Sequence, residues 1–293
     1  MKAYTDMLKE ILEYGEWSDN RTGVRTKKLT GIMFKHDMRE GFPLLTTKKM
    51  NLKMIATELE FFVKGLTDKK WLQDRGCHIW DEWCNPKKVP YDYDDETKAK
   101  MKAETDLGVV YGFQWRNFGG GSFAERVNGK ILSGNETGAD QLLNILTTLQ
   151  KNPNDRRMIC SAWNPNALDS MALPPCHLLW QVLSNGKDID LIWYQRSCDM
   201  FLGVPYNIAS YALLLELIAN SIGMKPRRLI GCLADAHIYE NHQEQIDLQL
   251  SREPKSLPTL YLPENADILT WTADNFTLDN YDPHPFIKAP IAV

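Results

Sequence analysis

The sequence lacks the features of secreted, membrane-spanning and metal-binding proteins. No apolar run approaches the ~20 residues that a membrane helix needs. The charged N-terminal stretch Met1–Ile11 has no apolar core, so no signal peptide is expected. The six cysteines are scattered without a Cys-x-x-Cys pair, which argues against a disulfide framework and against a zinc site. We therefore expect a cytoplasmic protein with reduced thiols, no metal and no membrane partner.

An excess of charge of either sign is also missing. The formal net charge is -4, with 34 Lys and Arg against 38 Asp and Glu. This balance argues against a nucleic-acid coat or an RNA-binding scaffold, although a few arginines focused into one cleft could still bind phosphate. Internal repeats, low-complexity tracts and Gly/Ser/Pro linkers are absent as well. The sequence therefore predicts one domain over residues 1–293, with no DNA partner.

Apolar residues recur at helical spacing in several segments. The segments are residues 8–12, which end near Gly15, Leu52–Val63, which ends at Gly65, Leu142–Leu149, and Ile208–Ile222. The last segment is apolar nearly all round, which is typical of a buried central helix.

Two strands are predicted around Asn185-Gly186, the dipeptide that most strongly favours a β-hairpin. The strands are Cys176–Ser184 and Asp188–Ser197, and both are apolar on each face. Helices would cover one face of such a sheet, and a second subunit is a candidate cover for the other. The predicted fold class is α+β, a single domain with a large mixed β-sheet flanked by helices and with its second face paired in a homodimer.

A charged stretch from Pro86 to Asp106, called here the 86–106 segment, looks inserted into this pattern. Charge-rich stretches of this kind are usually solvated faces of the molecule. We expect a surface helix here and assign it no chemistry.

The segment Ala172–His177 carries the first candidate for chemistry. Two prolines fix the backbone directly before Cys176, and Arg196 lies on the neighbouring predicted strand. A thiol near a guanidinium has a lowered pKa and is a nucleophile at neutral pH. By itself a cysteine is more often an inert core residue. His177 does not make a dyad with Cys176, because adjacent strand residues point to opposite faces.

The segment Gln195–Asn207 favours a ligand site. It combines a guanidinium and a hydroxyl suited to phosphate with a carboxylate and an amide. The amide of Asn207 can both donate and accept, which suits the N3–H and O4 edge of uracil. Burying these groups without partners would be costly, so we expect them to bind a ligand.

These segments resemble the signature motifs of the thymidylate synthase family. The matching motifs are Ala172–His177, Gln195–Asn207, Ile79–Trp83, Arg21–Gly23, Thr46–Lys49, Tyr111-Gly112, Asp155–Arg157, Asp235–Tyr239 and Ala289–Val293. Together they span the chain apart from the 86–106 segment and the stretch 119–138. The resemblance implies an enzyme that methylates dUMP to dTMP. Its co-substrate would be 5,10-methylenetetrahydrofolate, which donates the carbon and the hydride and leaves as dihydrofolate.

The resemblance also implies roles around the nucleotide. Cys176 would attack C6 of dUMP, Glu58 would relay protons to O4 through water, and Tyr111 would assist removal of the C5 proton. The residues implied to bind dUMP are Arg21, Arg196, Ser197, Asn207, His237 and Tyr239, joined by Arg156 and Arg157 from a partner subunit. Guanidinium forks suit the 5′-phosphate. Arg196 and Asn207 would also act in catalysis, Asn207 by reading the uracil edge.

A further group of residues is implied to bind the reduced folate. Asp199 would bond the pterin, and Lys48 would meet the glutamate tail. The residues implied to pack round or close over the folate are Ile79, Trp80, Trp83, Leu173, Gly203 and Ala292. The tryptophans could also be ordinary core aromatics. A metal at His237 is disfavoured, because no third ligand is matched to it.

Departures from the common family pattern leave one alternative open. Val109 and Tyr206 depart from it, and Glu60 gives a Glu-Leu-Glu run that related pyrimidine hydroxymethylases can show. Those enzymes add water to the methylene intermediate, so the alternative is a dUMP hydroxymethylase that makes 5-hydroxymethyl-dUMP. The apolar C-terminus Ala289–Val293, implied to close over the folate and exclude water, favours the synthase. A dCMP-specific relative would carry aspartate in place of Asn207.

Overall fold

A six-stranded mixed β-sheet is the centre of the fold in the computed structural model, which describes residues 1–92, 94–120 and 138–290 and the backbone of 126–127 and 130–131. In spatial order its strands are β1 (Glu16–Ser18), β2 (Thr26–Asp37), β8 (Lys225–Tyr239), β7 (Asp188–Asp199), β6 (His177–Ser184) and β5 (Ile159–Ser161). β7 and β8 are parallel, and the other neighbours are antiparallel. Two further pairs are β3 (Arg126–Val127) with β4 (Lys130–Ile131) and β9 (Thr259–Tyr261) with β10 (Thr277–Asp279).

Helices pack against this sheet and against one another. They are α1 (Lys2–Tyr14), α2 (Leu52–Val63), α3 (Lys70–Gln73), α4 (Asp95–Ala103), α5 (Tyr111–Asn117), α6 (Gln141–Lys151), α7 (Gly203–Ile222) and α8 (Gln243–Leu250). α7 connects the parallel strands β7 and β8 and packs on both, while α2 packs against α5 and α7. The helices predicted from periodicity are confirmed as α1, α2, α6 and α7. Across the described ranges, none of the helices is long and apolar enough to cross a membrane.

The hairpin and the central helix follow from local sequence. Gly186 lies in the turn with φ 88°, a left-handed conformation that costs glycine little. The side-chain oxygen of Asn185 accepts hydrogen bonds from the backbone N–H groups of Lys187 (3.0 Å) and Asp188 (2.8 Å), which closes the turn. α7 is buried on nearly all sides, as its apolar sequence predicts. Both predictions are confirmed.

The two faces of the sheet differ in burial. Trp193 lies on the inner face, fully buried under the helices. Met33, Cys232, Tyr194 and Leu179 are successive register partners across β2, β8, β7 and β6, so they share the outer face. The side chains of Met33 and Tyr194 are 53% and 41% exposed there. The predicted α+β class with a large mixed sheet is confirmed, and its outer face presents apolar side chains.

The stretch before α2 is held by residues from the C-terminal part of the chain. The backbone N–H of His284 donates to the carbonyl of Thr46 (2.7 Å), and the Tyr281 hydroxyl donates to the carbonyl of Leu45 (2.9 Å). α2 itself lies tightly against α5. A Cβ at Gly112 would stand 2.5 Å from the carbonyl oxygen of Phe62, so only glycine permits this approach. The contact fixes Tyr111 beside α2.

Candidate active site

Most of the residues predicted to bind the nucleotide line one large cavity, and Asn207, Arg156 and Arg157 are not among the lining residues. Its volume is about 1080 Å³. The predicted site residues that line it are Arg21, Trp83, Leu173, Cys176, Arg196, Ser197, His237 and Tyr239. β7 and β8 supply Arg196, Ser197, His237 and Tyr239, and Cys176 directly precedes β6, because the C-terminal ends of β7 and β8 lie beside the start of the antiparallel strand β6. Cationic and apolar side chains therefore face one space, as a bound anion with a flat ring would require.

Cys176 lies immediately before β6, where its backbone is held on both sides. Its N–H donates to the Tyr111 hydroxyl (2.8 Å), and its carbonyl accepts from the N–H of Arg196 (2.8 Å). The Arg196 guanidinium also donates to the carbonyls of Pro175 (2.9 Å) and Pro174 (2.8 Å). The guanidinium that lies beside the thiol thus also fixes the loop that carries it.

The expectation that the pKa of Cys176 is lowered is wrong for this structure. Burial raises the pKa of the thiol, and the nearby groups of Arg196, Tyr111 and Arg21 oppose that rise only in part. Desolvation disfavours the charged thiolate more than the guanidinium groups favour it. The thiol is therefore protonated at neutral pH, and its attack on a substrate requires a proton acceptor.

An aromatic cluster lies beside Cys176. The rings of His177 and Tyr111 are stacked with centroids 4.3 Å apart, and Nδ1 of His177 lies 2.8 Å from the hydroxyl of Tyr211. Burial lowers the pKa of His177 to about 3 and raises the pKa of Tyr111 well above its usual range. Both side chains are therefore neutral throughout the physiological pH range.

Glu58 lies on α2 and is half-buried beside Trp80. The indole N–H of Trp80 donates to one of its carboxylate oxygens (2.8 Å). Burial raises the pKa of Glu58 to about 7, and the Trp80 hydrogen bond opposes this rise only in part. A carboxyl group with a pKa near neutrality can both accept and release protons, which suits a general acid–base role.

Glu60, the residue behind the hydroxymethylase alternative, is committed elsewhere. Two residues along a helix are about 200° apart, so Glu58 and Glu60 point in different directions. Glu60 is 4% exposed, and its carboxylate pairs with Lys64 (2.6 Å) and accepts from the backbone N–H of Ala273 (2.8 Å). These contacts give Glu60 a structural role at the end of α2.

Asn207 is the fifth residue of α7, and it is oriented by a residue that the sequence analysis gave no role. The side-chain amide of Gln195 donates to Oδ1 of Asn207 (3.0 Å) and to the carbonyl of Ser197 (3.1 Å), while its own oxygen accepts from the Trp193 indole (3.2 Å). Gln195 is buried and has its partners fixed. The Asn207 amide is thus held with a defined orientation.

Asp199 and His237 are held by their own local contacts. Oδ1 of Asp199 accepts from the backbone N–H groups of Phe201 (2.9 Å) and Leu202 (3.0 Å). These two residues directly precede α7, which begins at Gly203. Nδ1 of His237 lies 2.9 Å from Oδ1 of Asp235, and its ring meets that of Tyr239 edge-on. No cluster of His, Cys, Asp and Glu within the described ranges could hold a metal ion.

Several predicted site residues lie apart from the cavity wall. Arg156 and Arg157 are exposed at the start of β5, where Arg157 pairs with Asp155 (2.6 Å). Lys48 is 3% exposed, donates to the carbonyl of Phe201, and lies 3.6 Å from the centroid of that ring. Ile79 packs at the edge of the core. Ala292 lies outside the described residues. The roles implied for these residues stay predictions.

The cavity also has lining residues that the sequence analysis did not anticipate. Trp163 lies under the Arg196 guanidinium, with its ring centroid 5.7 Å from Cζ of Arg196. Five more residues come from the 86–106 segment: Pro86, Tyr91, Asp92, Lys98 and Met101. α4 is the surface helix that was expected, with an exposed charged side, but Met101 on it is buried. The charge-rich composition of the segment did not predict that it lines the cavity, because the charged residues indicate only which side of α4 faces solvent.

A comparison with known protein families agrees with this arrangement. The family model described as thymidylate synthase matches residues 2–293, nearly the whole chain. The match runs through every element that lines the cavity, including the 86–106 segment.

Proposed function

Because the chain belongs to the thymidylate synthase family, we propose that it methylates dUMP to dTMP with 5,10-methylenetetrahydrofolate as co-substrate. The family is one of one-carbon transferases that act in thymidine nucleotide synthesis. The observation that carries the specific proposal is the position of Cys176. This residue lines the same cavity as the guanidinium groups of Arg21 and Arg196 and the apolar side chains of Trp83 and Leu173.

The nucleotide would bind with its phosphate at the cationic end of the cavity. Arg21, Arg196 and Ser197 supply donors for the phosphate there. His237 and Tyr239, which also line the cavity, would bond the ribose hydroxyl. These contacts would bring C6 of the base to Cys176.

Cys176 would then act as the nucleophile. Its sulfur forms a bond to C6 as the C5=C6 electron pair moves towards O4, which makes C5 nucleophilic. Because the thiol is protonated beforehand, its proton would pass to a water molecule in the cavity as the bond forms. Glu58, whose pKa burial raises to about 7, would deliver a proton towards O4 through water.

The co-substrate supplies one carbon and one hydride when it is bound. The residues around it would orient it: Trp83 and Leu173 offer an apolar wall, and the Asp199 carboxylate is held by two backbone donors. Oδ2 of Asp199 has no hydrogen-bond partner among the described residues and suits a ring N–H of the co-substrate. This set of groups fits a flat heterocycle with polar edges.

Later steps would depend on groups next to Cys176. Tyr111, neutral because burial raises its pKa, would not act as a tyrosinate but would hydrogen-bond a water molecule that takes the C5 proton. Expulsion of the Cys176 sulfur from C6 restores the C5=C6 bond, returns the electron pair to sulfur and frees the product. The protonated thiol is the resting form again.

The environment of Glu60 supports the synthase over the hydroxymethylase. Water addition would need a group that brings water to the methylene carbon, and Glu60 was the candidate from sequence. Its carboxylate is engaged by Lys64 and by the N–H of Ala273. A carboxylate with two buried partners is poorly suited to activate water in the cavity.

The active unit we propose is a homodimer. The outer sheet face carries exposed apolar side chains, among them Met33, Ile159 and Tyr194, and burying them against a second copy would be favourable. Arg156 and Arg157, exposed beside β5 on this sheet, would enter the phosphate site of the partner.

One experiment tests the reaction directly. The enzyme is incubated with dUMP and 5,10-methylenetetrahydrofolate, and the nucleotide and folate products are weighed by mass spectrometry. We expect dTMP and dihydrofolate, from wild type and from Glu60→Gln alike. Formation of 5-hydroxymethyl-dUMP and tetrahydrofolate by wild type would establish the alternative instead.

A further inference from the structure

The peptide of Ala172 is held by one residue within the 86–106 segment and by one residue directly after it. Its N–H donates to the carbonyl of Leu107 (2.8 Å), directly after the segment. Its carbonyl accepts from the hydroxyl of Tyr91 (2.6 Å), within the segment. Ala172 immediately precedes Leu173, which lines the cavity. Two independent hydrogen bonds thus fix the start of the loop that leads to Cys176.

The Tyr91 hydroxyl also contacts the backbone next to Trp83. It lies 2.6 Å from the carbonyl oxygen of Cys84 and accepts from the N–H of Cys84 (3.3 Å). Cys84 directly follows Trp83, whose side chain lines the cavity. One phenol group therefore bridges the backbone next to Trp83 and the backbone next to Leu173, and both of these residues line the cavity.

A buried lysine anchors the rest of the segment to the same wall. The Lys69 ammonium, fully buried, donates to the carbonyls of Asp81 (2.9 Å), Trp83 (2.8 Å) and Met101 (2.9 Å). Met101 is the buried residue of α4. Burying an ammonium is costly unless its hydrogen bonds are made, so these three bonds hold α4 in a defined position.

We propose that Tyr91 is a positioning residue for the co-substrate, setting the separation of Trp83 and Leu173 through its hydroxyl. The 86–106 segment is then a structural part of the folate half of the cavity and not an inert surface addition. The inference rests on the proposed function. Tyr91 would not need to touch the folate, because it acts on the position of Trp83 and Leu173 through the backbone of Cys84 and Ala172.

The change Tyr91→Phe tests this with little disturbance, because it keeps the ring and removes only the hydroxyl. We expect KM for the folate to rise about three- to tenfold, as loss of one hydrogen bond predicts. The turnover number and the dissociation constant of dUMP should stay within about twofold, because the phosphate groups are not touched. A purely structural defect would lower the active fraction and leave KM unchanged. Tyr261→Phe, at an exposed tyrosine of β9, is the matched control.

A second measurement does not depend on turnover. The rate at which iodoacetamide alkylates Cys176 is followed by peptide mass spectrometry without substrates. We expect it to increase about threefold or more in Tyr91→Phe, because the loop before Cys176 loses one of its two anchors. Tyr91→His, which keeps a ring N–H, should give intermediate values of both quantities and serves as the test variant if the phenylalanine variant does not fold.

Two results would overturn the inference. An alkylation rate within twofold of wild type in Tyr91→Phe would mean that the hydroxyl does not hold the loop. A changed alkylation rate with an unchanged folate KM would mean that the loop does not position the co-substrate. If wild type itself does not turn over dUMP, the proposed function fails, and the alkylation rates still decide whether Tyr91 holds the loop.

Discussion

The indole of Trp80 donates a hydrogen bond of 2.8 Å to the carboxylate of Glu58. Trp80 meets Tyr111 edge-on, with ring centroids 6.1 Å apart, and the Tyr111 hydroxyl accepts from the N–H of Cys176. A continuous set of contacts thus joins the Glu58 carboxyl group to the backbone of Cys176, the proposed nucleophile. The acid–base properties of Glu58 should therefore govern the pH dependence of the reaction.

We predict that Glu58→Gln lowers kcat about a hundredfold or more, as the loss of general acid–base catalysis does. In wild type, kcat against pH should have a limb near pH 7, because burial raises the pKa of Glu58 to about 7. The variant should lose that limb. His177 cannot supply it, since burial lowers its pKa to about 3. A variant profile that keeps the limb near pH 7 would assign it to another group.

The same substitution should change how stability depends on pH. The folded pKa of Glu58, about 7, lies above its ordinary value of 4.5. A raised carboxyl pKa favours folding while the group is protonated, and this contribution is lost as pH rises through 7. Glu58→Gln should therefore gain about 1–3 kcal/mol over wild type between pH 5 and pH 8. Urea unfolding at both pH values measures it, with exposed Glu10→Gln as control; an equal difference at both would contradict it.

Cys176→Ala should abolish turnover and leave the fold and most of the dUMP affinity intact. The covalent adduct with 5-fluoro-dUMP and the folate should also disappear, because no sulfur remains to bond C6. Cys232→Ala, at another half-buried free thiol, should still form the adduct. Mass spectrometry of the intact chain gives both results. An adduct that survives in Cys176→Ala, or that depends on Cys232, would rule out the assignment.

Asn207→Asp should shift the preference from dUMP towards dCMP. Cytosine presents a bare N3 and an amino group, so the wild-type amide leaves buried polar groups unpaired at about 1–3 kcal/mol each. A carboxyl group can accept from the amino group and, when protonated, donate to N3. The gain should appear mainly in turnover, because the phosphate contacts remain. An unchanged ratio of kcat/KM values for the two nucleotides would mean that another residue reads the base.

Shared sites can be tested by mixing inactive chains. Arg156→Ala and Cys176→Ala should each be nearly inactive. When the two are refolded together, one site of the mixed dimer would keep both its nucleophile and its partner arginines, so partial activity should return. Mixing two differently tagged Cys176→Ala chains is the control. A purified mixed dimer without activity would count against arginines that cross between subunits.

Local patterns in the sequence sufficed to predict the elements whose conformation depends on their own residues. The Asn185-Gly186 turn and the apolar segments of α2 and α7 are of this kind. The pairing of β8 between β2 and β7 depends instead on long-range packing. Trp193 and Gly231, for example, are register partners, and a Cβ at Gly231 would lie 2.4 Å from the Trp193 ring. No short pattern reports that fit.

The site divides in the same way. Motif residues such as Arg21, Arg196 and His237 were expected together and line one cavity. The direction of the Cys176 pKa was predicted wrongly, because the sequence gives the neighbouring guanidinium but not the extent of desolvation. Glu60 was misleading for a related reason: its partner, the N–H of Ala273, lies 213 residues further along.

Those distant contacts have a consequence for the order in which a newly made chain can fold. Leu45, Thr46 and Glu60 all bond groups between Ala273 and His284, and α2 carries Glu58. During synthesis the first half of the chain leaves the ribosome with these partners still missing. α2, which carries Glu58, therefore reaches its final position only after the last part of the chain has emerged. Nascent chains that stall earlier should contain the sheet strands already made but no competent site.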